Sequence, residues 1–231
     1  DSLSILSDVR IVILTPLSCN ALNFGNACLT NSTPTSGSVI ITSSLQLSTI
    51  SKIFAVMFTA PENGYDHGNQ LVEHIRAFGD FGIGVAGYPE KHIEAPDEAT
   101  DLKNLKRKVD SGADVVITQL YYDNRHFYHF VEQCRAVGIH KPIVPGLMPI
   151  LSVEQIKRIT GLCGATIPIQ LLRQLENAGN DEKRVQEIGI VHTANQALEL
   201  LDHGVPGIHF YVLNRHFHIA EIMERIKHAL P

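Results

Sequence analysis

The sequence predicts an α/β protein built from repeated strand–helix units, of the (β/α)8 TIM-barrel type. From about Gly64 onward, short apolar segments alternate with helical patterns of about ten to twenty residues. Segments such as 83–88 and 115–122 are apolar without polar alternation, which is typical of parallel strands buried on both faces. A barrel of this type takes about 250 residues. With 231 residues, the chain is a little short for a complete barrel.

The individual elements follow from apolar periodicity and from helix-capping residues. Leu71, Val72, Ile75 and Phe78 form the apolar face of the first predicted helix. Asp97 and Gly112 are the expected start and stop of the second. The predicted helices cover residues 68–79, 97–111, 124–137, 153–160, 168–178, 182–203 and 217–229. The predicted strands cover residues 83–88, 115–122, 143–147 and 208–213.

The first part of the chain has a different composition. Residues 1–51 contain one basic residue, Arg10, two acidic ones, Asp1 and Asp8, and seventeen Ser and Thr residues. We therefore divide the chain into a divergent Ser/Thr-rich segment, 1–63, and a barrel portion, 64–231. Within the first segment, strands are predicted at 11–14, 39–42 and 53–58.

Composition excludes several classes of protein. The net charge of -5 argues against a nucleic-acid binder, which usually carries a basic stripe. Four widely separated cysteines, none in a C-x-x-C pair, are typical of reduced thiols in a cytosolic protein. No apolar run is long enough for a transmembrane helix, and no signal peptide is recognisable. We expect a cytoplasmic protein that does not associate with membranes.

The segment Gly82-Ile-Gly84-Val-Ala-Gly87 matches the G-x-G-x-x-G dinucleotide pattern. That fingerprint requires glycines in a turn that opens directly into a helix. Here the glycines lie inside a predicted strand, and Tyr88-Pro89 follows. Close packing within the strand is the preferred interpretation.

Polar residues at two places are candidate ligand contacts. Asp101, Asn104 and Lys108 are spaced so that they share one helical face. This stripe is either a solvated surface or a set of hydrogen-bonding groups for a polyol or phosphate. Gln119 ends a predicted strand, where barrel enzymes carry their chemistry. It suits a ring with paired donors and acceptors or, equally, a structural hydrogen bond.

The pair His216 and His218 has the form His-x-His, but no third ligand stands at metal-binding spacing. We therefore predict no metal site.

Five ordered motifs together resemble methylenetetrahydrofolate reductase. The first three are Gly84-Val-Ala-Gly-Tyr88-Pro89-Glu90-x-His92, Asp101-x-x-Asn104-Leu-Lys-x-Lys108-Val-Asp-x-Gly-Ala, and Ile117-Thr-Gln119. The last two are Pro145-Gly146-Leu-Met-Pro149 and Pro206-Gly-Ile-His-Phe-Tyr-x-Leu-Asn214-Arg215. The resemblance extends from about residue 64 to 231.

The resemblance implies a cytoplasmic (β/α)8 flavoprotein of one-carbon and methionine metabolism. It would use FAD, with NADH or NADPH as electron donor, to reduce 5,10-methylenetetrahydrofolate to 5-methyltetrahydrofolate. It also implies a homo-oligomer whose ligand is a small folate. The cofactor residues that it implies are Tyr88, His92, Asp101, Asn104 and Lys108.

The same resemblance implies that Gln119 binds the pterin, Gln155 the folate or nicotinamide side, and Arg215 the substrate. Members of the family often carry a ligand-stacking aromatic four positions after the second of these glutamines. That position is Ile159 here.

The family's acid is a glutamate at the end of the first barrel strand, and no glutamate precedes Glu62. We therefore assign no catalytic residue. The family's Leu-Arg-Gly-Asp strand end would fall near residues 56–59, which read Val-Met-Phe-Thr. The expectation is a family member whose N-terminal part is lost or replaced, with weak FAD binding and poor turnover. The alternative is an inactive, truncated member that retains partial flavin, folate or partner-subunit binding.

Overall fold

The structure, a computed structural model, describes residues 11–14, 65, 67–212 and 217–229. Strand β1, Ile11–Leu14, forms where the sequence predicts it. The strands predicted at 39–42 and 53–58 lie outside the described residues, and so does Arg215.

Strands and helices alternate along the first part of the described chain, and three consecutive helices precede the last strand, in agreement with the predicted order. The helices are α1 (Gly68–Phe78), α2 (Glu98–Asp110), α3 (Asn124–Ala136), α4 (Val153–Cys163), α5 (Ile169–Ala178), α6 (Glu182–Asp202) and α7 (Phe217–Ile226). After β1 the strands are β2 (Gly82–Gly87), β3 (Val115–Thr118), β4 (Ile143–Val144), β5 (Gly146–Leu147) and β6 (His209–Phe210). A single 3-10 turn, Lys227–Ala229, follows α7.

The chain divides into two compact units. Unit 1 comprises residues 1–86 and 107–115, and unit 2 comprises residues 87–106 and 116–231. Strand β1 pairs in parallel with β2 in unit 1, with Ile11 opposite Gly82. In unit 2, β3 pairs in parallel with β4, and β5 with β6. Parallel strands alternating with helices confirm the α/β class, and six strands lie in the described part of the chain.

Two differences from the predicted elements have local causes. The strand predicted at 143–147 is split at Pro145, which has no backbone N–H to donate to a neighbouring strand. Phe78 was expected on the apolar face of α1, but its ring is 73% exposed at the end of the helix. The buried face of α1 is formed by Leu71 and Val72.

The glycine-rich segment lies inside strand β2, as predicted, and does not open into a helix. A Cβ on Gly87 would lie 2.6 Å from Phe130 Cζ and 2.8 Å from Val116 Cγ1. The absence of a side chain at Gly87 therefore permits close packing in unit 2, and the dinucleotide interpretation fails on geometry.

Helix α2 begins with the predicted cap. Asp97 Oδ1 accepts a hydrogen bond of 2.7 Å from the backbone N–H of Thr100. The same N–H, followed by the Thr100 side chain, lowers the pKa of Asp97. The carboxylate thus satisfies a helix donor that has no partner inside the helix.

A buried apolar cluster of unit 2 lies around α4, α5 and α6. Its members are Leu120, Tyr122, Met148, Ile150, Ile156, Ile159, Leu171, Leu175 and Val185. Met148 and Ile150 lie just beyond β5, and Ile156 lies in α4, so this cluster packs against the β5–α4 connection. That connection carries part of the candidate site.

None of the helices in the described part of the chain has the length and apolar content that a membrane crossing requires.

Candidate functional site

Gln119 directly follows strand β3, at the carboxyl end that the sequence indicated. Its backbone N–H donates to Gly87 O at 2.7 Å, which ties it to the last residue of β2. Its side-chain Oε1 accepts from the backbone N–H of Leu120 at 2.9 Å. With the oxygen engaged in this way, the amide nitrogen is the donor that Gln119 can present to a ligand.

The strand ends next to Gln119 are joined by a second set of hydrogen bonds. Tyr211 OH donates to Thr118 O at 2.9 Å, and Thr118 Oγ1 accepts from the backbone N–H of Gly146 at 2.8 Å. A Cβ on Gly146 would lie 2.2 Å from Thr118 O, so only glycine permits this approach. Burial raises the pKa of Tyr211, which keeps its hydroxyl protonated as a donor.

His209, on strand β6, lies beside this network. Its ring meets that of Tyr211 edge-on, with centroids 4.7 Å apart. Burial lowers the pKa of His209, so the imidazole is neutral at neutral pH. The described strand ends therefore present neutral donors and acceptors, which suit a polar ring better than a charged group.

A small depression lies beyond these strand ends and contains the predicted residue Gln155. The backbone N–H of Gln155 donates to Ser152 Oγ at 3.1 Å, so the cap of α4 positions it in the first helical turn. The lining residues are Met148, Pro149, Leu151, Gln155, Tyr211, Val212, His218 and Ile219. Gln155 is the polar side chain that α4 contributes to this depression.

Ile159, one turn after Gln155, belongs to the buried core and is 8% exposed. In this chain the position supports the helix that carries Gln155 and is not available as a stacking surface.

The predicted cofactor residues Tyr88, His92 and Asp101 are brought together in unit 2. The rings of Tyr88 and His92 meet edge-on, with centroids 4.5 Å apart. The backbone N–H of His92 donates to Asp101 Oδ2 at 3.0 Å, and His92 Nδ1 accepts from the backbone N–H of Glu94 at 3.1 Å. Because Nδ1 accepts, the neutral ring carries its hydrogen on Nε2.

The other two predicted cofactor residues are on helix α2. Asn104 is exposed in unit 2. Lys108 belongs to unit 1, where its Nζ donates to Ala86 O at 2.7 Å. The spacing of Asp101, Asn104 and Lys108 puts all three on one helical face. Their role in binding a ligand stays a prediction.

No cluster of three His, Cys, Asp or Glu side chains that could hold a metal ion occurs among the described residues. His218 lies in the depression and is 9% exposed, whereas His216 is outside the described part.

Comparison with known proteins decides the family. The family model described as methylenetetrahydrofolate reductase matches residues 55–227. The chain belongs to this family. The match contains all the site residues assigned above, from Tyr88 to Arg215, and so includes Gln119.

Relatives within the methylenetetrahydrofolate reductase family come from plants, animals and bacteria. Methylenetetrahydrofolate reductase (NADH) 1 of Arabidopsis thaliana is 44% identical over 168 residues, which are 68% of this chain and 28% of that protein. The probable NADPH enzyme of Caenorhabditis elegans is 44% identical over 147 residues, covering 63% and 22%. The Escherichia coli 5,10-methylenetetrahydrofolate reductase is 34% identical over 164 residues, covering 71% and 54%. The chain thus spans between about a quarter and half of these relatives.

A solved structure supports the fold. An uncharacterized protein from Clostridium thermocellum, described as binding two copies of 5-methyl-5,6,7,8-tetrahydrofolic acid, aligns with a TM-score of 0.51. The two chains are 18% identical, and the alignment covers 74% of this chain and 66% of the other.

Sequence reasoning did not assign roles to three residues of the reductase motifs that the structure makes prominent. Thr118 and Tyr211 join the strand ends, and Glu90 is a nearly buried carboxylate in the loop before α2. All three lie within the family motifs, but a linear pattern does not reveal which partner a side chain will reach.

Proposed function

We propose that this protein is an NAD(P)H-dependent flavoprotein that reduces 5,10-methylenetetrahydrofolate to 5-methyltetrahydrofolate. The family match over residues 55–227 supports the reaction class. The observation that carries the proposal to particular residues is the group of strand ends joined by hydrogen bonds. Gln119 directly follows one of these strands, and Gln155 lines the depression beyond them. Names of relatives contain both NADH and NADPH, so the donor is NADH or NADPH.

The groups on the β2–α2 loop fit the nucleotide part of FAD. The His92 ring has its hydrogen on Nε2 and can donate to a phosphate oxygen. Asp101 holds the His92 backbone, and the exposed amide of Asn104 suits ribityl hydroxyls. When bound, FAD would supply the hydride chemistry. The protein's task is to orient the ligands and exclude water.

The groups at the strand ends fit the folate. A pterin ring edge carries acceptor atoms as well as donors, and the side-chain amide nitrogen of Gln119 can donate to such an acceptor. Gln155 would contact the folate or nicotinamide side, and Arg215 a substrate carboxylate. The fold neighbour that binds 5-methyltetrahydrofolic acid supports a ligand of this class.

We further propose a (β/α)8 barrel as the complete fold, a homo-oligomeric state, and a cytoplasmic role in one-carbon metabolism that supplies methionine synthesis. The parallel strand pairs and the alternation with helices support the barrel. Size-exclusion chromatography with light scattering tests the oligomer.

The chemical step also needs an acid to open the methylene bridge. The sequence has no glutamate before Glu62, and no other residue is assigned to this task. We therefore expect this 231-residue chain to reduce menadione with NAD(P)H faster than it reduces methylenetetrahydrofolate.

The experiment is to purify the chain, reconstitute it with FAD, and measure bound flavin, NAD(P)H–menadione turnover and folate binding. We expect Gln119→Ala to weaken folate binding while menadione turnover persists. Gln170→Ala, at an exposed position on α5, is the matched control and should behave as the wild type. A chain that binds neither FAD nor folate would contradict the proposal.

A further inference from the structure

Glu90 has an unusual environment for a carboxylate. It lies in the β2–α2 loop, between Tyr88 and His92, and only 9% of its side-chain surface is exposed. Removing a carboxylate from water is costly unless hydrogen bonds replace the lost hydration. The contacts of Glu90 therefore indicate which part of the protein fixes the β2–α2 loop in place.

The principal partner of Glu90 is Thr166, in the connection between α4 and α5. The Thr166 hydroxyl donates to Glu90 Oε2 at 2.5 Å, and the Thr166 backbone N–H lies 3.0 Å from Oε2 and 3.2 Å from Oε1. Both donors converge on one carboxylate, and hydrogen bonds to a charged acceptor are stronger than neutral ones. The two residues are 76 positions apart in sequence, so the contact joins two distant loops.

A third element approaches the same carboxylate. His126 Nε2, on helix α3, lies 3.6 Å from Glu90 Oε2. On the side of α4, Gly164 has φ +72°, and a Cβ built on it would be 3.6 Å from Lys91 O. The β2–α2 loop is thus packed against the end of α4 and joined to it through Glu90.

We propose that Glu90 is a positioning residue for the flavin nucleotide. By bonding to Thr166 it holds the β2–α2 loop, and with it the rings of Tyr88 and His92, in the arrangement that receives the cofactor. This inference rests on the proposed function, because the ligand of the loop is the proposed FAD. Its structural part, that Glu90 holds the loop, can be measured without any cofactor.

The test compares Glu90→Gln with Glu98→Gln. Glu98 lies on α2 and faces His129 on α3 at 3.1 Å, but both side chains are more than half exposed. The two substitutions remove the same charge from similar glutamate–histidine contacts, but only Glu90 has a nearly buried side chain and hydrogen bonds to Thr166. We expect Glu90→Gln to raise the Kd for FAD about tenfold, the range of one lost charge-assisted hydrogen bond, and Glu98→Gln to leave it within about twofold.

Three further measurements separate positioning from general stability. At saturating FAD, the menadione kcat of Glu90→Gln should return to near the wild-type value. Thr166→Val should weaken FAD binding as Glu90→Gln does, whereas Thr166→Ser should retain it, since serine keeps the hydroxyl. The double variant Glu90→Gln/Thr166→Val should bind no more weakly than the weaker single variant, because the two residues act through one contact.

Hydrogen exchange of the amides in residues 88–95 supplies the readout that does not depend on flavin. Exchange in this loop should be faster in Glu90→Gln than in Glu98→Gln. If the wild type binds no FAD, the proposed function fails, and the exchange rates still decide whether Glu90 holds the loop. An unchanged Kd for FAD in Glu90→Gln overturns the inference. So does a lower melting temperature with no change in Kd, since Glu90 would then be structural only.

Discussion

Helix α6 lies very close to the β5–α4 connection at Gly189, and this predicts opposite effects on stability for glycine-to-alanine substitutions at two positions. Gly189 lies in the interior of α6, and a Cβ on it would be 2.2 Å from Ile150 O and 2.9 Å from Ile150 Cβ. Gly161 lies in the last turn of α4, and a Cβ there would meet nothing within 4 Å. The perturbation is the same at both positions, glycine to alanine.

The expected magnitudes follow from two competing terms. Replacing glycine by alanine inside a helix stabilises it by about 0.5–1 kcal/mol, which is the whole effect expected for Gly161→Ala. At Gly189 a gap of 2.2 Å to a backbone oxygen cannot be relieved by rotating a side chain, so α6 or the Ile150 segment must move. Overpacking of this kind costs about 1–3 kcal/mol. The free energies of unfolding of the two variants should therefore differ by about 1–3 kcal/mol, with Gly161→Ala the more stable.

Urea denaturation and thermal melting of the wild type and the two variants measure this difference. For a chain of this length the expected gap in Tm is about 2–12 °C. Because Ile150 precedes the lining residue Leu151, Gly189→Ala should also weaken folate binding, and Gly161→Ala should not. Equal stabilisation by both substitutions would mean that α6 does not approach Ile150, and the reasoning would be refuted.

Three further predictions concern single groups. Tyr211→Phe should lower the free energy of unfolding by about 1 kcal/mol and weaken folate binding, because it removes the hydrogen bond to Thr118 O. The control is Tyr128→Phe, which removes a hydroxyl bonded to an exposed carboxylate and should change neither quantity. Equal effects of the two substitutions would contradict the strand-end arrangement. The pKa of Asp97 is held below its usual 3.8 by the backbone N–H of the first turn of α2. The carboxylate therefore stabilises the folded state above that value, and this contribution is lost as pH falls through the lower folded-state pKa. Urea titrations should show the loss in the wild type and not in Asp97→Asn, and identical acid profiles would refute it. Burial raises the pKa of Cys163 to about 11, so about one Cys163 side chain in a thousand is a thiolate at pH 8. Mass mapping should therefore find slow alkylation of Cys163 that accelerates in urea. Rapid labelling of the folded chain would contradict this burial.

The sequence was sufficient for the elements and for the positions of several site residues. A helix boundary was predicted where a capping residue and apolar periodicity agree, as at Asp97. Gln119 was recognised because it ends an apolar strand, and the described structure puts it there. These features depend on neighbours within a few residues, which a linear pattern contains.

The partners of side chains were not predictable in the same way. Glu90 and Thr166 are 76 residues apart, and Thr118 and Tyr211 are 93 apart. Nothing in the local pattern distinguishes Glu90, which is nearly buried, from Glu98, which is exposed. Burial was also not predictable for Phe78. This apolar residue has the spacing of a buried helix position, but it is exposed at the end of α1.

The sequence by itself determined the α/β class, the order of helices and strands, and the motifs that mark the methylenetetrahydrofolate reductase family. These depend on local backbone preference and on the residue types that the motifs retain. Only the tertiary structure decided that Tyr211 holds Thr118 next to Gln119, and that Glu90 joins the β2–α2 loop to Thr166. The physical reason is that hydrogen bonds between distant segments depend on how those segments pack together, and the spacing along the chain does not contain that information.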